Sequence, residues 1–474
     1  MEKGKMKAKK GAASFYIVAF STLILVIIAA SFTAVVLSEM ARSANDDLSQ
    51  SAYDSALAGI EDAKLAFYNY QKCLSLNKKE GTIRPDNVVE CEEIIYWVNH
   101  PDDGSGCDMV AKILGRISED DSKEVMIEES SGGAAGGTNN LQQAYTCVKI
   151  NKTPSDYRAT LTEANTTKVV QVKLGTDEKG NQIHANEIDK VVVNWFAEED
   201  RRSASNGRFQ PRFSNISGSG SSAKVLFPAL KSSDTALAVP PMISVSLVQT
   251  AKDFLFDDFT VTATSPARTN RGTVFLVPTD DATMASGSLE DNYVGIYNQT
   301  EKKNIITKSQ MVKSNNRAVK NLPLVTYCDV NISEFACSAT MELPNVINGE
   351  DDGRSDETFT FVVSLPYGQP DTSFSLEFYC KSSRPCGKEV VASEGGSTTV
   401  QKPVTLDGMQ IEIDSTGRAN NLYRRVGARL DVGDSYFPYP LYALELLGSG
   451  DNLLEKVNSV TCEYQSWSGF GPTC

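Results

Sequence analysis

The chain has 474 residues, with 46 Lys and Arg against 60 Asp and Glu and a formal net charge of −14 at neutral pH. That length allows about two to four domains, and the acidic balance argues against nucleic acid as a partner, since a phosphate backbone is held by basic patches. An exterior of this charge also repels an anionic cell surface unless cations bridge the two.

Residues 12 to 37, AASFYIVAFSTLILVIIAASFTAVVL, contain no charge, no Pro and no Gly. A membrane-spanning helix needs roughly 20 such residues. Lys3, Lys5, Lys7, Lys9 and Lys10 precede the run, whereas Glu39, Asp46 and Asp47 follow it with only Arg42 in reply. The asymmetry predicts a cytoplasmic leader over 1–11, a membrane helix over 12–37 and everything beyond it outside. The apolar core of a secretory signal peptide is shorter and ends at a small-residue cleavage site.

Beyond the run the pattern becomes amphipathic. Leu37, Ala41, Ala44, Leu48, Ala52, Ala56, Ile60, Ala63 and Phe67 recur at steps of three and four, and Gly59 is the only breaker before Tyr70. This is one stripe of a helix over 38–70 continuing the membrane helix. Unbroken from Ala12 to Tyr70, it would be on the order of 90 Å long.

The basic leader, Lys9-Lys10-Gly11 and the apolar run opening an amphipathic helix together resemble the amino terminus of a type IV pilin or pseudopilin. The resemblance implies cleavage by a prepilin peptidase between Gly11 and Ala12, and packing of the helix against other pilin-like subunits in a filament core. Pilins usually have Glu at the fifth mature position, where this chain has Tyr16. Minor pilins of the PilX type and the tip pseudopilin of type II secretion are similar in lacking that Glu. The stretch Ser51 to Ala63 also resembles the small-residue segment that follows the membrane helix in PilX-type proteins. The likeness covers about residues 9 to 70 and implies a minor or tip subunit.

All ten cysteines lie beyond the apolar run: Cys73, Cys91, Cys107, Cys147, Cys328, Cys337, Cys380, Cys386, Cys462 and Cys474. With no Cys-x-x-Cys pair and only two His, disulfides in an oxidising exterior are favoured over a zinc site. Near neighbours suggest Cys328 with Cys337, Cys380 with Cys386 and Cys462 with Cys474. Among the first four cysteines three pairings stay open, with Cys73–Cys91 favoured.

Residues 71–130 read as a small mixed region. Met109, Val110, Ile113, Leu114 and Ile117 have helical spacing, while Cys91 to Val98 is too short to assign. A Gly, Ser and Ala linker over 131–140 follows. From about Leu141 the period changes to two. Val170, Val172 and Leu174 alternate with polar residues, as do Val191, Val193 and Trp195, then Ile243, Val245 and Leu247, then Phe259, Val261 and Ala263. Further on, Phe359, Phe361, Val363 and Leu365 alternate, and so do Phe374, Leu376 and Phe378. These alternations predict β-rich domains over 141–250 and 251–474. Met409, Ile411 and Ile413 alternate before Asp414-Ser415-Thr416-Gly417, and Val426, Ala428, Leu430 and Val432 after it, which predicts a hairpin turning at Asp414–Gly417. The predicted fold class is α+β: a long amino-terminal membrane and stalk helix followed by a mainly antiparallel, sandwich-like β head stapled by disulfides.

No Gly-x-Ser-x-Gly elbow occurs, and the two His are distant in sequence, so no catalytic constellation emerges and an enzyme is not expected. The nearest approach to a site is the acidic loop holding Asn348, Glu350, Asp352 and Asp356, a weak calcium candidate; Phe359 stands where an EF-hand places its bidentate Glu. No other cofactor is implied. Two readings follow. One is a processed minor or tip pilin-like subunit, structural, assembly-initiating and adhesive toward a host or partner cell surface. The other is an unprocessed single-span envelope protein whose head binds a surface or glycan.

Overall fold

The computed structural model describes residues 11–75, 91–100, 106–116, 124–127, 143–200, 216–217, 224–225, 241–250, 269–289, 293–311, 323–329, 334–343, 358–366, 371–382, 385–393 and 396–432. Helix α1 (Gly11–Ser75) runs through 65 residues, roughly 100 Å at helical rise. Helices α2 (Cys91–Asn99) and α3 (Met109–Ile113) follow it.

The strands are β1 (Val125–Met126), β2 (Ala144–Asn151), β3 (Asp156–Leu161), β4 (Thr167–Val172), β5 (Ile188–Ala197), β6 (Ile216–Ser217), β7 (Lys224–Val225), β8 (Ile243–Thr250) and β9 (Thr269–Thr279). Then come β10 (Ser288–Leu289), β11 (Tyr293–Gly295), β12 (Tyr297–Asn298), β13 (Lys303–Ile306), β14 (Leu324–Tyr327), β15 (Phe335–Glu342) and β16 (Thr358–Ser364). The last five are β17 (Thr372–Cys380), β18 (Lys388–Ser393), β19 (Gly396–Gln401), β20 (Gln410–Ala419) and β21 (Leu422–Asp431).

Two units divide the chain, one formed by residues 1–151 with 412–428 and the other by 152–411 with 429–474. The division therefore falls between Asn151 and Lys152 rather than at the expected linker, and residue 250 is not a boundary. Strands β8 and β9, on either side of it, pair antiparallel from Ile243↔Leu276 to Thr250↔Thr269. The linker itself, 131–140, lies outside the described residues.

The first unit combines α1, α2 and α3 with a four-stranded sheet of order β1-β2-β20-β21. Cys73–Cys91 joins the end of α1 to the start of α2, whose first turn carries Glu92 and Glu93. Acids there suit the positive end of the helix dipole. Cys107–Cys147 ties the segment before α3 to β2.

The hairpin near the carboxyl end turns elsewhere than its composition suggests. Strand β20 continues through Asp414 to Gly417, in register with β2 from Asn151↔Glu412 to Ala144↔Arg418. The turn is Asn420-Asn421, with Asn420 at φ 50°, a left-handed conformation that Asn tolerates.

The second unit holds a seven-stranded sheet, β10-β11-β14-β9-β8-β16-β4, and a six-stranded sheet, β12-β13-β15-β5-β17-β3. Pairing is mainly antiparallel, but β11–β14, β14–β9 and β13–β15 are parallel. Alternation explains the core. Val191, Val193 and Trp195 on β5, Phe374, Leu376 and Phe378 on β17, Val245 and Leu247 on β8, and Phe361 and Val363 on β16 are all fully buried in one cluster. The indole of Trp195 donates to the carbonyl of Pro241 at 3.1 Å, so its polar edge is satisfied within that core. Cys328–Cys337 and Cys380–Cys386 staple this unit. The Phe259 to Ala263 alternation and the Cys462 and Cys474 pair lie outside the described residues.

Candidate functional site

Helix α1 changes character along its length. From Tyr16 to Asp47 every side chain is exposed, and the helix carries a window of mean hydropathy 2.5, long and apolar enough to cross a membrane. Four of its hydroxyl groups are satisfied by the helix itself. Ser21 donates to the Val18 carbonyl at 3.0 Å and Thr22 to Ala19 at 2.9 Å, while Ser31 donates to Ile27 and Thr33 to Ala29, each at 2.8 Å. A hydroxyl without a partner in hydrocarbon costs several kcal/mol, and these four do not incur that cost.

The second half of α1 buries a narrow stripe of Ala52, Ala56, Ile60, Ala63, Ala66, Phe67, Tyr70 and Cys73. Small side chains let backbone approach backbone, and two glycines complete the fit. A Cβ added at Gly59 would lie 2.8 Å from Val148 Cγ2 and 3.2 Å from Tyr145 Cγ on β2. One added at Gly417 on β20 would fall against the Ala52 carbonyl oxygen and the Ala56 nitrogen, and 2.9 Å from the Ser55 carbonyl carbon. Neither glycine has a positive φ, so its role is space.

A buried carboxylate fixes the rotation of α1 in this seat. Asp62 is 8% exposed, and its Oδ2 accepts from Arg116 Nη1 at 2.5 Å and from the Tyr145 hydroxyl at 2.8 Å. Burial first, then the Asp62 acceptor, pushes the Tyr145 phenol well above its ordinary value. Nearer the exposed arm, Arg424 of β21 donates through Nε to Ser49 Oγ at 2.8 Å. One side of the helix is thereby locked to a sheet, and its amino-terminal half is left to another environment.

Gly11 and Ala12 are the first described residues of α1, and residues 1–10 lie outside the described residues. Tyr16 is 71% exposed on the arm. Asn348, Glu350, Asp352 and Asp356 lie outside the described residues, and among the described residues no group of His, Cys, Asp and Glu could hold a metal ion. Sequence reasoning missed Gly59 and Gly417 as contact points and the Asp62, Arg116 and Tyr145 cluster. Its one available signal was a glycine and an aspartate interrupting an otherwise apolar stripe.

No family model matches the chain, and neither a curated protein nor a solved structure is significantly similar to it.

Proposed function

We propose that the protein is a pilin-like subunit, anchored in a membrane with its amino terminus in the cytoplasm and incorporated at a minor or tip position into a filament or pseudopilus. The observation that carries this reading is the continuity of α1, one helix from Gly11 to Ser75 that is apolar and exposed over its first half and seated on a sheet over its second. A helix built in this way can leave a bilayer and pack among like helices without refolding. The Lys9-Lys10-Gly11 junction supports processing at Ala12, and Tyr16 supports an end position, since it lacks the carboxylate that neutralises a neighbouring terminal amine. The head is sandwich-like in this reading, because both large sheets contribute to one core cluster. Such a head would act in assembly initiation and adhesion to a surface.

The test is localisation. Antibody labelling of filaments purified from the native cell should find the head sparse and at ends. Labelling along the whole shaft would sink the tip assignment, and its absence from filaments and pseudopilus fractions would leave the exposed arm as the anchor of an unprocessed single-span surface protein.

A further inference from the structure

The outer face of the first unit's sheet carries a pocket lined by Lys149, Asn151, Glu412, Ile413, Asp414, Arg425 and Gly427. Gly427 is one of the residues that line it, and two facts leave that glycine without a structural reason. Its φ is not positive, and a Cβ placed there would meet no atom within 4 Å. Glycine inside a strand weakens it and often marks where a ligand approaches. Here its effect is to keep the pocket open.

The walls are matched in charge, Lys149 and Arg425 against Glu412 and Asp414. Arg425 Nε donates to Asp414 Oδ1 at 2.6 Å, its Nη2 reaches Asp414 Oδ2, and Asn151 Nδ2 donates to Glu412 Oε2 at 3.3 Å. Strand register sets Lys149 opposite Asp414 and Asn151 opposite Glu412. A pocket neutral in sum has no excess charge with which to hold a free ion. What it offers is closely spaced donors and acceptors on one face of the sheet, the pattern that vicinal hydroxyls, each donor and acceptor at once, can meet. Along β21 the two-residue period puts Tyr423, 57% exposed, on the same face as Arg425 and Gly427. Its ring gives the C–H face of a sugar something to stack on. Tyr423 and Gly427 are about 13 Å apart along the strand, a span that fits a short oligosaccharide better than a single sugar.

We propose that this face binds a neutral oligosaccharide, with Gly427 as the open part of the lining, Asp414, Glu412, Asn151 and Lys149 as the hydrogen-bonding wall, and Tyr423 as the stacking platform. The proposal gives the adhesive part of the function above its ligand class, and rests on it only for the head being outside the cell.

The full chain in nanodiscs is titrated calorimetrically with cellotetraose, maltotetraose, mannotetraose and chitotetraose, and with glycylglycine as a zwitterionic probe. At least one tetraose should bind, and Gly427→Val should weaken it at least tenfold without lowering the melting temperature, because the added side chain enters open space in a strand that favours β-branched residues. Tyr423→Ala, an exposed position, should weaken the same ligand similarly and serves as the second variant. No binding of any tetraose at millimolar concentration, equal binding by both variants, or binding of glycylglycine alone overturns the proposal. None of these readouts depends on leader cleavage or filament entry, so if the native chain is recovered unprocessed and outside filaments while the full chain binds a tetraose, the pilin reading fails and this site stands.

Discussion

Gly417→Ala tests the seat of α1 most sharply. The new methyl would stand 2.9 Å from the Ser55 carbonyl carbon and closer still to the Ala52 oxygen and Ala56 nitrogen, all of them helix backbone that cannot rotate away. Ordinary carbon contacts begin at about 3.5 Å, so β20 and α1 must separate by at least roughly 0.6 Å. A gap of that order forfeits about a quarter or more of each contact well along the buried stripe from Ala52 to Ile60. Overpacking of this kind costs about 2–3 kcal/mol, and the lower chain entropy of Ala in the unfolded state returns up to about 1 kcal/mol. The net loss of about 1–3 kcal/mol corresponds to a fall in melting temperature of roughly 3–9 °C for a unit of this size. Amide hydrogen exchange over residues 52–67 of the full chain reads the first unit alone, and should quicken by about tenfold. Gly427→Ala is the control, since it meets no atom within 4 Å and should be neutral or stabilising by up to about 1 kcal/mol. Unchanged exchange in Gly417→Ala, or equal losses in the two variants, would refute the close-packing argument.

Asp62→Asn removes the charged acceptor shared by Arg116 and Tyr145 and should cost the first unit about 1.5–3 kcal/mol in urea unfolding; a loss under 0.5 kcal/mol, on the order of a surface change, would contradict it. The buried phenols of Tyr145 and Tyr157 are both held above their ordinary value of 10.0, chiefly by burial. Because the folded state keeps these protons longer, their contribution is complete below pH 10 and is lost as pH rises above it. Alkaline unfolding should therefore steepen beyond pH 10, and Tyr145→Phe should remove that dependence from the first unit; an unaltered alkaline limb would count against it. Replacing Cys73 and Cys91 together by Ala opens a loop of sequence separation 18, costing about 3 kcal/mol, and exchange protection of α2 should vanish. Retained protection would show that α2 is held by packing alone.

Much of this architecture is legible in the sequence because it is periodic. The apolar run and its three-and-four stripe mark α1 almost end to end, the structure extending it from Gly11 to Ser75. Strict alternation likewise marks β5, β8, β16 and β17, whose inward residues form one core. What composition could not give is partnership. Strand β2 pairs with β20 across a sequence gap that contains most of the second unit, and no local pattern encodes that pairing. Gly417 shows the cost of local reading. Asp414-Ser415-Thr416-Gly417 has the composition of a turn, yet the glycine serves a helix contact with Ala52 and Ala56, and the turn falls on Asn420-Asn421. Cys91 to Val98 is ambiguous for a different reason, since eight residues are too few for periodicity and α2 depends on its disulfide and its contacts with α1. The pocket lined by Gly427 is not legible in the sequence because its meaning lies in what surrounds the glycine.

Entry of α1 into the membrane as a prepilin-like segment, as proposed, is read from the amino terminus of the protein recovered from its native membrane or filament fraction. A processed subunit gives a mature chain beginning at Ala12, with the Lys-rich leader gone. A chain still carrying Met1 to Gly11 would contradict the proposal and leave a plain single-span anchor beneath the same β head.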